Sequence, residues 1–147
     1  MMEMLLVVLL ISLIAGLSFP SVTTGLDSIR MRSAADSAAA FLSAAATQVE
    51  RREEPLELVF SKTQNSLEAH GLLGKYNRAI ILPDGIRLAG VLPEPPGEPQ
   101  ATRSIVVFPG ATVPQITLVL ENSRGARRTV QLDPVTGVAR VNAPPAS

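Results

Sequence analysis

Cysteine is absent from the sequence, which excludes a disulfide frame, a thiolate nucleophile and a Cys-based metal site. Tryptophan is also absent, tyrosine occurs once, and aromatic residues make up only 3% of the chain. Any core must therefore be built from Leu, Val, Ile and Ala, and a base-stacking or sugar-binding platform is disfavoured. Neither sign of charge is in excess, with 13 Lys and Arg against 13 Asp and Glu. No global attraction to nucleic acid, acidic substrates or anionic lipid follows, so partners must be argued locally. At 147 residues the chain supports one domain and an appendage, not two full cores.

Catalytic signatures are missing as well. The single histidine, His70, lies in a polar stretch, and no G-x-S-x-G, Walker loop, H-E-x-x-H or dinucleotide fingerprint is present. Asp27 and Asp36 do not converge on a helix, and Asp84 and Asp133 sit in turn sequences that already account for them. The chain is expected not to be an enzyme and to need no cofactor or metal.

What is present is a long apolar run. From Met4 to Leu26 no residue is charged, yet Glu3 stands at its head. A helix of about 20 apolar residues spans a bilayer core, so this segment is expected to be a single membrane span. A cleavable signal is the competing reading, but no basic residue precedes the run and Ser18-Phe19-Pro20-Ser21 is a poor cleavage site. Arg30 and Arg32 follow the run, and the positive-inside rule taken alone would leave the bulk of the chain in the cytoplasm. Beyond Pro20, which should kink the helix, Met31, Ala34, Ala35, Ala38, Phe41, Leu42, Ala45 and Val49 recur at three- and four-residue steps. This Ala-rich stripe covers either the chain's own core or another subunit. The helix should end near Glu54, because Pro55 disfavours the helical conformation before it.

From Pro55 the period becomes that of a strand. Leu56–Phe60 with Asn65–Ala69, and Ile80–Leu82 with Ile86–Leu88 across Pro83-Asp84-Gly85, are expected to form two hairpins. Gly90 to Ala101 carries four prolines and reads as an exposed loop. Ile105 to Phe108 is a further strand. Ile116 to Leu120, Arg128 to Leu132 and Val138 to Val141 form a meander around Asn122-Ser123-Arg124-Gly125 and Asp133-Pro134-Val135-Thr136-Gly137. The expected architecture is α+β: an N-terminal helix over residues 1–54, membrane span continuing as amphipathic helix, packed on an antiparallel β-sheet or sandwich domain over 55–142. Residues 143–147 should be a disordered tail.

A charge-poor run headed by Glu3, broken seventeen residues later by Pro20 and leading through an Ala-rich helix into a small β-domain, resembles the type IV pilin-like family. Within it, Val107-Phe108-Pro109-Gly110-Ala111-Thr112 and Leu132-Asp133-Pro134-Val135-Thr136-Gly137-Val138-Ala139-Arg140-Val141 are similar to the minor pseudopilin H group of type II secretion systems (the GspH/FimT type). The resemblance implies a minor pseudopilin that helps initiate or cap a secretion pseudopilus. Glu3 would neutralise the terminal ammonium of an adjacent subunit, and Pro20 would shape the helix for bundling. The alternative role for Glu3 is a headgroup-level carboxylate favoured by the helix dipole.

The same resemblance implies a single-pass inner-membrane protein with a cytoplasmic N-terminus and a periplasmic β-domain. Its partners would be other pseudopilins or pilins, contacted through the helix. Prepilin peptidase, with methylation of the new terminus, would act if a basic leader ending in Gly-Phe is encoded upstream, since only Met1 and Met2 precede Glu3. The alternative function is that of a type IV pilus minor pilin in pilus assembly or DNA uptake. Some such relatives carry a Gly-Arg-x-Arg motif; Gly137-Val138-Ala139-Arg140 keeps its glycine and last arginine. Arg124, Arg127, Arg128 and Arg140 are the candidates for weak DNA contact. Few phosphate contacts remain for them to make, so DNA is not expected as a partner at physiological salt.

Overall fold

The computed structural model describes residues 1–147 except 75, 95, 98–100 and 143–147, and describes the backbone but not the side chains of 18–24. The proposed disordered tail and the Pro20 side chain thus lie outside the described residues.

Helix α1 runs from Met2 to Arg52, with Glu3 in its first turn and Arg51 and Arg52 in its last, each opposing the dipole end it sits on. Glu53 closes the helix in the left-handed conformation (φ 51°), slightly earlier than Pro55 alone suggested. Among the described residues no helix is long and apolar enough to cross a membrane. This overturns the expected single-pass transmembrane helix and inner-membrane localisation.

Eight strands follow: β1 Leu56–Ser61, β2 Ser66–Gly71, β3 Asn77–Ile81, β4 Ile86–Leu92, β5 Thr102–Val107, β6 Thr117–Asn122, β7 Arg127–Leu132 and β8 Ala139–Asn142. They form two four-stranded antiparallel sheets, sheet A in the order β3-β2-β1-β5 and sheet B in the order β4-β6-β7-β8. The β1–β2 hairpin and the β6–β7–β8 meander match the sequence pattern. The second expected hairpin does not form. Pro83-Asp84-Gly85 instead carries the chain from sheet A, where β3 pairs with β2, to sheet B, where β4 pairs with β6. Its turn is closed by the Ile86 N–H on the Pro83 carbonyl at 3.1 Å, with positive φ at Gly85 but not at Asp84. Tight hairpins of the primed types need positive φ at the first central residue, so this turn does not bring the two strands together.

The loop expected from Gly90 begins later. A bulge between Leu88 and Gly90 shifts the register by one, so that Leu88 and Val91 both face the core, opposite Leu120 and Leu118. Met31, Ala34, Ala35, Ala38, Phe41, Leu42, Ala45 and Val49 share one buried cluster with Leu56, Leu58, Phe60 and Leu67 of sheet A and Leu118, Leu120, Val130 and Leu132 of sheet B. The helical stripe therefore covers the chain's own core. Alanine predominates there because it lets the helix approach β6, β7 and β8 closely.

Candidate assembly surface

Helix α1 divides into two parts with different surroundings. From Asp27 onward it is tied to the β-domain. Asp27 Oδ2 accepts from Arg124 Nε at 3.0 Å, in the β6–β7 turn. Ser43 Oγ accepts from the Ala139 N–H at 2.9 Å on β8. At the far end, buried Glu54 accepts from the Leu73 N–H at 3.0 Å, joining the helix terminus to the β2–β3 turn. Gly71 makes this possible, because a Cβ there would fall on Glu54 Oε1 and crowd the Tyr76 amide.

The other part, from Met2 toward Leu26, extends about 37 Å as helix. Its large apolar side chains from Met4 to Leu17 are 47–73% exposed around the full helical circumference. Soluble monomers seldom expose contiguous apolar patches beyond a few hundred Å², so a continuous apolar cylinder marks an interaction surface. Glu3 is the only charge on it and is itself exposed. No described group lies against it in ionic contact. Pro20, the other assembly candidate, falls among the side chains outside the description.

The four arginines considered for DNA do not form one patch. Arg124 is held by Asp27, and Arg127 Nε bonds Glu121 Oε2 at 2.7 Å. Glu121 is buried and also receives Arg87, so one carboxylate serves two guanidiniums. Their hydrogen bonds, Arg87 first and Arg127 second, hold the Glu121 carboxyl below the ordinary glutamate value. Arg128 pairs in register with Leu120 and lies on the same face of β7 as Val130, opposite to Arg127. Arg140 sits opposite Gln131 on β8, four residues along β7 from Arg127, or about 13 Å. Asp133 lies close enough to feel its charge. His70 Nε2 meets Glu68 Oε2 at 3.0 Å on the outer face of sheet A.

One residue that sequence reasoning passed over organises the junction of the two sheets. Asn65 adopts φ 56°, and its side-chain amide donates to the Ile86 carbonyl while its Oδ1 accepts from the Leu88 N–H at 2.7 Å. Its own carbonyl accepts from the Leu82 N–H at 3.0 Å. The only sequence signal was an asparagine in a turn, which is common to most turns. No family model, curated protein or solved structure matches this chain.

Proposed function

We propose that this protein is a structural subunit of a pilus-like filament, of the minor pseudopilin kind that helps initiate or cap a secretion pseudopilus. It is not an enzyme in this reading. The supporting observation is the division of α1: Met31 to Val49 is buried on its own β-domain, whereas Met4 to Leu17 is apolar and exposed on every side. Helices from other subunits are the natural cover for such a segment, since bundling buries apolar area without leaving backbone groups unpaired. Glu3 would take an ammonium of a neighbouring subunit as its counter-charge, which low dielectric strengthens. We further read the two sheets as the layers of a sandwich around the common core.

The DNA-uptake alternative has less behind it. Arg124 and Arg127 are already engaged by carboxylates, and Arg128 and Arg140 lie apart, so few cations are left to release counterions from a duplex.

The absence of native cysteine makes the reading simple to test. A Leu9→Cys chain should give covalent helix-to-helix adducts with other copies or with co-expressed filament subunits, and Glu3→Ala should reduce their yield without altering the fold. A Leu9→Cys chain that forms no adduct with any protein and stays monomeric would remove the filament reading.

A further inference from the structure

The outer faces of the two sheets carry opposite charge. On sheet A the outward positions of the four strands include Glu57, Glu68 and His70 among Ser, Thr, Val, Ala, Asn and Ile, and no Lys or Arg. On sheet B the outward positions include Arg87, Arg127 and Arg140 against Glu121 alone, among Thr, Val, Gln, Asn and Leu. With His70 neutral, one face holds two negative charges and the other a surplus of two positive ones; Asp133 trims that surplus at the rim. Helix α1 covers neither, because it packs on the side of sheet B that carries Leu118, Leu120 and Val130.

On sheet A the short Val59 lies between Glu68 of β2 and Ser104 of the edge strand β5, and on sheet B the short Val119 and Thr129 sit opposite one another on the two central strands, so short side chains separate the charged ones on both faces. Short side chains between charges of opposite sign on the two faces suit face-to-face contact, with the charges selecting partner and register.

We infer that the sheet A face of one copy docks on the sheet B face of the next. The contact joins two different patches of one chain, so it is heterologous and propagates into an open series unless the rotation closes a ring. Four strands about 4.8 Å apart and six residues long give only about 400 Å² per face. That is roughly half of what a stable interface contributes per partner, so the contact is weak and reversible. It concerns the β-domain and holds whichever molecules cover the apolar helix.

The test uses disulfide trapping in the full chain. Val59→Cys and Thr129→Cys each point away from the core on different sheets, so a bond between them must join two molecules. Oxidation of the double variant should give a ladder of multimers, and a mixture of the two single variants should give a mixed dimer in excess of either homodimer. Raising salt to about 0.5 M, where exposed charges are screened beyond a few Å, should lower the yield. Replacing Glu57 and Glu68 by Arg should reduce it by about tenfold, and mixing that chain with one bearing Arg140→Glu should recover part of it. Homodimers of the Val59→Cys chain as abundant as the mixed dimer, a yield indifferent to salt and charge reversal, or adducts formed with a different protein in place of a second copy would each overturn the inference. A ladder here alongside no adduct from Leu9→Cys would retire the filament reading alone.

Discussion

Asn65 Oδ1 accepts a hydrogen bond from the Leu88 N–H at 2.7 Å, across 23 residues and from one sheet to the other. With its amide on the Ile86 carbonyl, the side chain behaves as a short length of strand laid against β4. It joins the β1–β2 turn to the strand that opens sheet B, at the point where the chain changes sheets.

Removing those two bonds should destabilise the protein by about 2 kcal/mol, since each is worth about 1 kcal/mol net and leaves a partly buried backbone group unpaired. Asn65→Ala should cost about 1 kcal/mol more than Asn65→Gly, because only glycine adopts positive φ freely. Urea denaturation of both variants gives the comparison. Equal stability of Ala and Gly chains would show that the backbone conformation relaxes on substitution.

A second prediction concerns the close approach of Gly71 to Glu54. Gly71→Ala should destabilise by about 1–3 kcal/mol through overpacking. Glu54→Ala should also destabilise, by leaving the Leu73 N–H without its acceptor. The double variant should be less unstable than the sum, because removing the carboxylate relieves the clash. Strict additivity would mean that the methyl group displaces the Tyr76 backbone instead.

The two parts of α1 should respond differently to mutation. Phe41→Ala lies in the buried stripe and should cost about 3–5 kcal/mol. Leu9→Ala lies on the exposed part and should change the stability of the β-domain by no more than about 0.5 kcal/mol. For the same reason a chain beginning at Ser28 should fold, and one beginning at Pro55 should be much less stable, having lost Phe41, Leu42 and the stripe alanines. Thermal denaturation of the two shortened chains decides this.

Acid sensitivity should trace in part to Glu121. Its folded-state carboxyl is held below the ordinary value of 4.5 by Arg87 and Arg127, so it binds protons less readily folded than unfolded. It therefore contributes stability that is fully present above that ordinary value and is lost as pH falls through the depressed one. Asp133 acts in the same direction, its carboxylate held low first by the Val135 N–H. Melting temperatures measured across the acid range should fall more steeply for the native chain than for Glu121→Gln. Parallel curves would show that the two guanidiniums serve Glu121 equally well in the unfolded chain.

Much of the local structure was legible in the sequence. The 3.6-residue recurrence from Met31 to Val49 reports a buried helical face, alternation in Leu56–Phe60 reports a half-buried strand, and Asn122–Gly125 and Asp133–Gly137 report the meander turns. Each depends on residues within a few positions of one another, which is why a linear reading recovers them. The exposed apolar run from Met4 was equally visible. Its length in hydropathy suggested a membrane span, whereas among the described residues no helix is long and apolar enough to cross one.

Tertiary structure decided the rest, through contacts between residues far apart in the chain. Pro83-Asp84-Gly85 has the composition of a hairpin turn, but β3 and β4 found other partners because Asp84 keeps a negative φ and Asn65 binds β4 from the neighbouring sheet. Whether the Ala stripe covered its own domain or another subunit depended on β6, β7 and β8 presenting a matching apolar face. The arginines of the C-terminal third look like one basic cluster in sequence. Strand alternation puts Arg127 and Arg128 on opposite faces, and pairing across 97 residues brings Arg124 to Asp27. Charge along a chain is fixed by composition, but charge on a surface is set by which strands pair and in what register.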